Sequence, residues 1–236
     1  MRSILITLLI VFISQISLAQ NNPNRLVRKS RQQWIQYYTE TELKGNWSLP
    51  IDAGFRWRNN FQSSSQYLVR GAIAYTFESN LKLAAGFAHL GYYSGSNVNV
   101  TESRPYQEIG YSHSLGTIGI SHRLRIEERF LKSDFGSEDA IRFRYSLMLK
   151  LFELSISDTN PDFKFEFNFG NELFMSAGEE DLPTAFTQNR LILSPTFSLS
   201  ENFGVSFTWN SQYAATDQSD VFDKVEVLWI QVRHTF

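Results

Sequence analysis

The residues best placed to do chemistry in this chain are arginines and glutamates that recur at every second position. Arg123, Arg125, Glu127 and Arg129 form one run, Arg142 and Arg144 a second, Glu102 and Arg104 a third. Arg56, Arg58, Arg70, Glu172 and Arg190 occupy the polar phase of other segments. A planar guanidinium holds its donors in a fixed fork and grips a carboxylate with two parallel hydrogen bonds, so such a set could knit a closed ion-pair lattice. Arginine exceeds glutamate in the set. Guanidinium groups left over in a narrow, partly dry channel would attract anions, whether phosphate, sulfate or an acidic sugar. The spacing leaves both readings open.

Acyl transfer would need a Ser or Thr beside a His, with an acid or amide orienting the imidazole. The four histidines, His89, His113, His122 and His234, all fall in the opposite, apolar phase, with no Ser plainly beside them there. No metal-ligand spacing, Gly-rich phosphate loop or nucleophile elbow is present. The sequence therefore predicts no enzyme, no cofactor and no metal. A lipid-modifying activity working through His89 or His122 is a third reading.

What must position the charges is a set of strands, because alternation with period two sends successive side chains to opposite faces. Trp47, Leu49, Ile51, Ala53, Phe55 and Trp57 alternate with Ser48, Asp52, Gly54, Arg56 and Arg58. Ile141, Phe143, Tyr145, Leu147 and Leu149 alternate with Arg142, Arg144, Ser146 and Lys150. The same grammar runs through 66–77, 163–173 and 203–213, and further strands are expected at 31–43, 80–93, 102–115, 117–130, 186–199 and 223–236. No segment shows a helical period.

Composition narrows the class. The 236 residues include 20 Phe, 10 Tyr and 5 Trp, yet mean hydropathy is −0.26. Many aromatics in a chain polar on average point to segregation by face, with a greasy outside and a wet inside. No cysteine is present, which excludes disulfides and thiolate metal sites, and a net charge of −2 gives no footprint for nucleic acid. Met1-Arg2-Ser3, an apolar run from Ile4 to Ile13 and the small-residue exit Ser17-Leu18-Ala19 look like a secretory signal peptide over residues 1–19. An N-terminal anchor fits less well, because the apolar run is too short to span a bilayer. Residues 20–30 are a lead-in, and 31–236 one domain.

The reading is all-β: a transmembrane up-and-down antiparallel β-barrel in the cell outer membrane, the apolar phase facing lipid and the charged phase lining the lumen. A soluble sandwich or lipocalin-like barrel would have to turn the bulky aromatic face inward. Eleven segments are visible, but bacterial single-chain barrels normally have an even number, so twelve strands are expected within a range of ten to twelve. Short turns at 44–46, 78–80, 115–117 and 200–202 alternate with longer polar connections near 60–65, 94–101, 131–139, 176–185 and 214–222. The connection 152–162 is longer than its class predicts. Below the charged ring, small residues such as Ala84, Gly86, Ala88, Ser206 and Thr208 suggest a watery vestibule. Acidic loop residues such as Asp134, Glu138, Asp139, Glu179, Glu180, Asp181, Asp217, Asp220 and Asp223 are solvated or bridge divalent cations to lipid phosphates. The expected partners are outer-membrane lipid and lipopolysaccharide, and barrel-assembly machinery through the last strand ending in Phe236.

The chain also resembles an uncharacterised outer-membrane family, domain of unknown function 2490, over nearly all of its mature length. The resemblance rests on Trp34, on Trp47-Ser48-Leu49 leading to Arg56, and on Glu102-Ser103-Arg104-Pro105-Tyr106-Gln107. It continues through His122 to Phe130, Arg142-Phe143-Arg144-Tyr145, Asn171-Glu172-Leu173-Phe174 and Gln188-Asn189-Arg190. It implies a barrel and supplies no activity.

Overall fold

In the computed structural model, which describes residues 25–177 and 186–236, eleven strands close on themselves in a barrel. They are β1 (Leu26–Glu42), β2 (Trp47–Arg58), β3 (Ser63–Thr76), β4 (Leu81–Ser94), β5 (Asn97–Leu115), β6 (Ile118–Ser133), β7 (Gly136–Ser155), β8 (Lys164–Ala177), β9 (Phe186–Ser200), β10 (Phe203–Ala215) and β11 (Val221–Thr235). Each pairs antiparallel with its neighbours in sequence, as the period-two pattern requires. The described residues contain no helix. The proposed leader at 1–19, residues 20–24 and the acidic Glu179, Glu180 and Asp181 lie outside the described residues.

The expectation of twelve strands is corrected to eleven. An odd barrel cannot close with antiparallel pairs alone, and here β1 runs parallel to β11, from Leu26 opposite Val221 to Glu40 opposite Thr235. The first five residues of β1, Leu26–Ser30, come from what the sequence presents as a lead-in. Both strands run from the end bearing the β10–β11 connection, called upper here, to the end bearing the β1–β2 turn. Phe236 is fastened at that lower end, where its amide donates to the Glu40 carbonyl at 2.9 Å and its carbonyl accepts from the Glu42 amide at 2.9 Å.

Two upper connections expected as loops are instead strand. Residues 97–101 and 131–139 continue the ladders of β5, β6 and β7, leaving tight turns at Gly95-Ser96 and Asp134-Phe135. Polar side chains on both faces hid the extension at 131–139, since alternation vanishes where water lies on both sides, whereas Asn97-Val98-Asn99-Val100-Thr101 does alternate. At the lower end, β7 runs on to Ser155 past a register shift between Lys150 and Phe152. The connection 156–163 is then tied by the Ser157 hydroxyl, which accepts from the Thr159 and Asn160 amides at 3.2 and 3.1 Å.

The two faces of the wall are inverted relative to a water-soluble protein. Val69, Ile73, Phe87, Ile109, Leu124, Phe143, Phe207 and Leu228 are exposed on the outside, while Glu102, Glu127, Thr208 and Asn210 are buried inside. A small apolar cluster, Leu68, Ala88 and Leu90 with Tyr92, lies among the buried residues. The small residues are not an open vestibule: a Cβ on Gly86 would lie 2.5 Å from the Tyr106 ring, so the glycine is what lets that ring lie across β4.

Candidate functional site

The lumen has a charged half built from β2 to β9. Strand alternation brings Glu102 and Arg104 of β5, Arg123, Arg125, Glu127 and Arg129 of β6, Arg142 and Arg144 of β7 and Glu172 of β8 to one interior surface. Glu102 accepts from Arg104 Nε and Arg129 Nε at 2.8 Å each, and from the Tyr92 hydroxyl. Glu127 accepts from Arg142 Nε at 2.7 Å and from Arg144 at 2.8 Å, with Arg104 and Arg125 each 3.7 Å away. Glu172 accepts from Arg123 at 2.6 Å, Arg144 at 2.7 Å and Arg190 at 3.3 Å. Arg144 thus bridges two carboxylates, the use of a planar fork that lysine could not serve.

Two carboxylates of this lattice were legible from their phase but were not placed in the ring from sequence. Glu108 accepts from Arg125 Nε at 2.6 Å, and Asp52 from Arg70 Nε at 2.9 Å and from Gln36. They reduce the excess of arginine. One predicted member is elsewhere: Arg58 sits exposed at the upper rim and donates to the carbonyls of Ser64 at 3.4 Å and Tyr93 at 3.0 Å. The shift in register between Arg56 and Trp57 ends the regular ladder just below it.

Aromatic rings also line the lumen, where they carry guanidinium groups. Arg125 lies 4.3 Å from the Tyr106 ring centre, and Phe174 has Arg190 at 4.5 Å, Arg144 at 4.7 Å and Arg142 at 5.4 Å. Trp34 of β1 has Arg56 at 3.8 Å and Arg190 at 5.5 Å, and meets Trp229 edge-on at 5.3 Å. A ring face attracts a cation without neutralising it. Among the described residues no carboxylate pairs with Arg56, which donates to the Gln66 carboxamide, or with Arg233, whose head is 5.7 Å from the Tyr38 ring.

The other half of the lumen, from β9 through β11 to β1, is largely neutral, Arg190 and Arg233 apart, and hydrogen-bonded in short chains. Ser194 and Thr208 hydroxyls are 2.7 Å apart, Gln231 donates to Thr208 at 2.8 Å, Thr196 meets Ser206 at 2.8 Å, and Gln188 donates to Gln212 at 2.5 Å. Several buried polar atoms find no partner: both side-chain ends of Asn210, Gln212 Nε2, Trp229 Nε1, Arg56 Nε and Arg190 Nε. Between the halves lies a cavity of about 570 Å³, lined by Arg56, Arg70, Arg104, Arg123, Arg142, Arg144, Arg190 and Arg233 with Glu172 as its one carboxylate. The other lattice carboxylates, Asp52, Glu102, Glu108 and Glu127, are not part of its lining.

The histidines keep to the outer face. His89 bonds the Tyr67 hydroxyl at 3.2 Å, His122 that of Tyr145 at 2.9 Å and His234 that of Tyr37 at 3.1 Å. His113 and His122 stack at 5.4 Å toward the lower end. Below the ring, Lys150 and Lys164 hold Glu153 at 2.8 and 3.1 Å.

Comparison with known proteins gives a family and no activity. The sequence model described as "Protein of unknown function (DUF2490)" matches residues 31–223, which contain every member of the lattice. No curated protein matches the sequence. Among solved structures, the outer-membrane expressed OmpT of Vibrio cholerae is similar at 12% identity and a TM-score of 0.37, over 78% of this chain and 61% of that one. The chain thus spans under two thirds of that structure's length.

Proposed function

This chain belongs to the DUF2490 family of proteins of unknown function, and we propose that this member is an outer-membrane barrel whose arginine-lined lumen admits and holds small anionic solutes. Insertion is supported by the inverted wall. An apolar outside in water would forgo about 25 cal/mol for each Å² left wet, whereas a charge facing lipid at mid-bilayer would cost about 2–4 kcal/mol. The alternation satisfies both demands only with lipid outside. Outer-membrane lipid and lipopolysaccharide are then its surroundings, and the strand ending in Phe236 is offered to the assembly machinery.

The observation that carries the anion reading is the cavity lining: eight arginines, Arg56, Arg70, Arg104, Arg123, Arg142, Arg144, Arg190 and Arg233, against the single carboxylate Glu172. Confined in a low-dielectric wall, such a surplus raises the local concentration of anions. The refolded protein in a planar bilayer under a salt gradient tests this: the reversal potential is expected on the anion-selective side, moving toward zero in Arg56→Gln. Cation-selective current would overturn the reading.

A structural reading is favoured by a different observation, the full burial of Glu102 and Glu127 among several arginines each. In that reading the lattice closes the lumen and the barrel acts through its upper hairpins. A silent bilayer with insertion verified would decide for it and against the anion reading.

A further inference from the structure

An anion site explains one half of the cavity and leaves the other unexplained. An inorganic anion presents acceptors only. Beside the arginines the lining includes Gln36, Gln188, Gln212 and Gln231, and a carboxamide both donates and accepts. A hydroxyl does the same. The volume points the same way: about 570 Å³ lies within the range of small-molecule sites, roughly 300–1,000 Å³. It is also many times the ~30 Å³ share of a water molecule, so a bare oxyanion would leave most of it unfilled.

We propose that the cavity takes an acidic sugar, its carboxylate between Arg56 and Arg190 and its hydroxyls against the glutamine wall; this rests on the anion reading above. Arg56 and Arg190 both have their heads within 5.5 Å of the Trp34 ring, which gathers two guanidinium groups about one side chain of the lining. Each also has an Nε without an acceptor. Arg56 has no carboxylate of its own, and Arg190 has only the long 3.3 Å contact with Glu172, which Arg123 and Arg144 already engage more closely. On the wall beside the pair, Trp229, edge-on to Trp34, and Gln212, the cross-strand neighbour of Arg190, each keep a buried donor with no acceptor, Nε1 and Nε2. The Trp34 face is occupied by Arg56, so the sugar is held by hydrogen bonds and charge, not by stacking on that ring.

Isothermal titration of the detergent-solubilised full chain with glucuronate, acetate and glucose tests the proposal on the unaltered protein. Glucuronate is expected to bind at least tenfold more tightly than acetate, with glucose weaker than either. Losing a hydrogen bond to a charged group corresponds to a roughly ten- to hundredfold loss of affinity, expected for glucuronate in Arg56→Gln and partly restored in Arg56→Lys. Trp229→Phe, which keeps a ring and removes the donor, should narrow the ratio of glucuronate to acetate affinity. Equal affinities for glucuronate and acetate would overturn the acidic-sugar proposal while leaving the anion reading standing. So would anion-selective current with no glucuronate binding. Glucose binding as tightly as glucuronate would overturn both.

Discussion

The two halves of the lumen meet the same demand, polar groups out of reach of bulk water, by different routes. In the charged half Glu102, Glu127 and Glu172 each have at least two guanidinium neighbours, and Arg144 joins Glu127 to Glu172. In the neutral half hydroxyls and carboxamides pair two or three at a time, and Asn210 is left with neither end bonded. The difference follows from magnitudes. An unpaired buried ion costs several kcal/mol, so a charged wall must be closed by its own residues. An unpaired amide or indole costs about 1–3 kcal/mol, a penalty a fold can carry where a ligand completes the bonding. The charged half is determined by the chain alone; the neutral half, with Arg56 at its margin, is where a solute has something to add.

The largest test of this contrast is one substitution on each side. Glu127→Ala strands Arg142 in the wall and leaves Arg144 with Glu172 alone; it should cost about 3–5 kcal/mol, seen as a lower urea midpoint of the folded band. Asn210→Leu removes two unpartnered polar ends and should be neutral or stabilising. Similar losses at both positions would mean the walls do not differ.

Gly86 sharpens the contrast by asking how rigidly the charged half is propped. Tyr106 lies on that glycine and carries Arg125 at 4.3 Å. Gly86→Ala must displace the ring, and overpacking of this kind costs about 1–3 kcal/mol. The loss should be accompanied by altered near-ultraviolet dichroism, because Tyr106 moves. An unchanged midpoint and spectrum would show slack in a wall described here as closed.

How much of this was legible in the sequence depends on which signal carried it. All eleven strands and the inward phase of the charges follow from period two, because each apolar residue outside implies a polar neighbour inside. The strand count did not follow. Alternation says nothing about whether the first and last strands meet parallel, and the even-number rule misled. Glu108 and Asp52 share the phase of Glu102 and Arg56 but stand outside the arginine-rich runs that mark the ring. Trp34, Trp229 and Phe174 were the harder omission. An aromatic residue in a barrel ordinarily faces lipid; Phe174 shares the inward phase of Glu172, whereas Trp34, opposite Arg56 in the β1–β2 register, is revealed by its cross-strand partner.

Arg56 then separates function from stability. Its replacement by Gln strands no carboxylate, so the unfolding free energy should change by about 1 kcal/mol or less, the scale of a net hydrogen bond, while the reversal potential moves toward zero. Arg144→Gln, which leaves Glu127 and Glu172 each short of a partner, should do the reverse in proportion.

The smallest expected effect is that of salt on the charged half itself. Raising ionic strength from 0.1 to 1 M shortens the screening length from about 10 to about 3 Å. Cavity-facing guanidinium groups are reached by mobile ions, so anion selectivity should decline across that range. Glu127 is shielded on every side by Arg104, Arg125, Arg142 and Arg144 at 3.7 Å or less, closer than screening ions can intervene. The urea midpoint should therefore hardly move while selectivity falls. If both fell together, the lattice would be as wet as the cavity, and the distinction between a self-satisfied wall and a solute-facing one would reduce to a single hydrated ring.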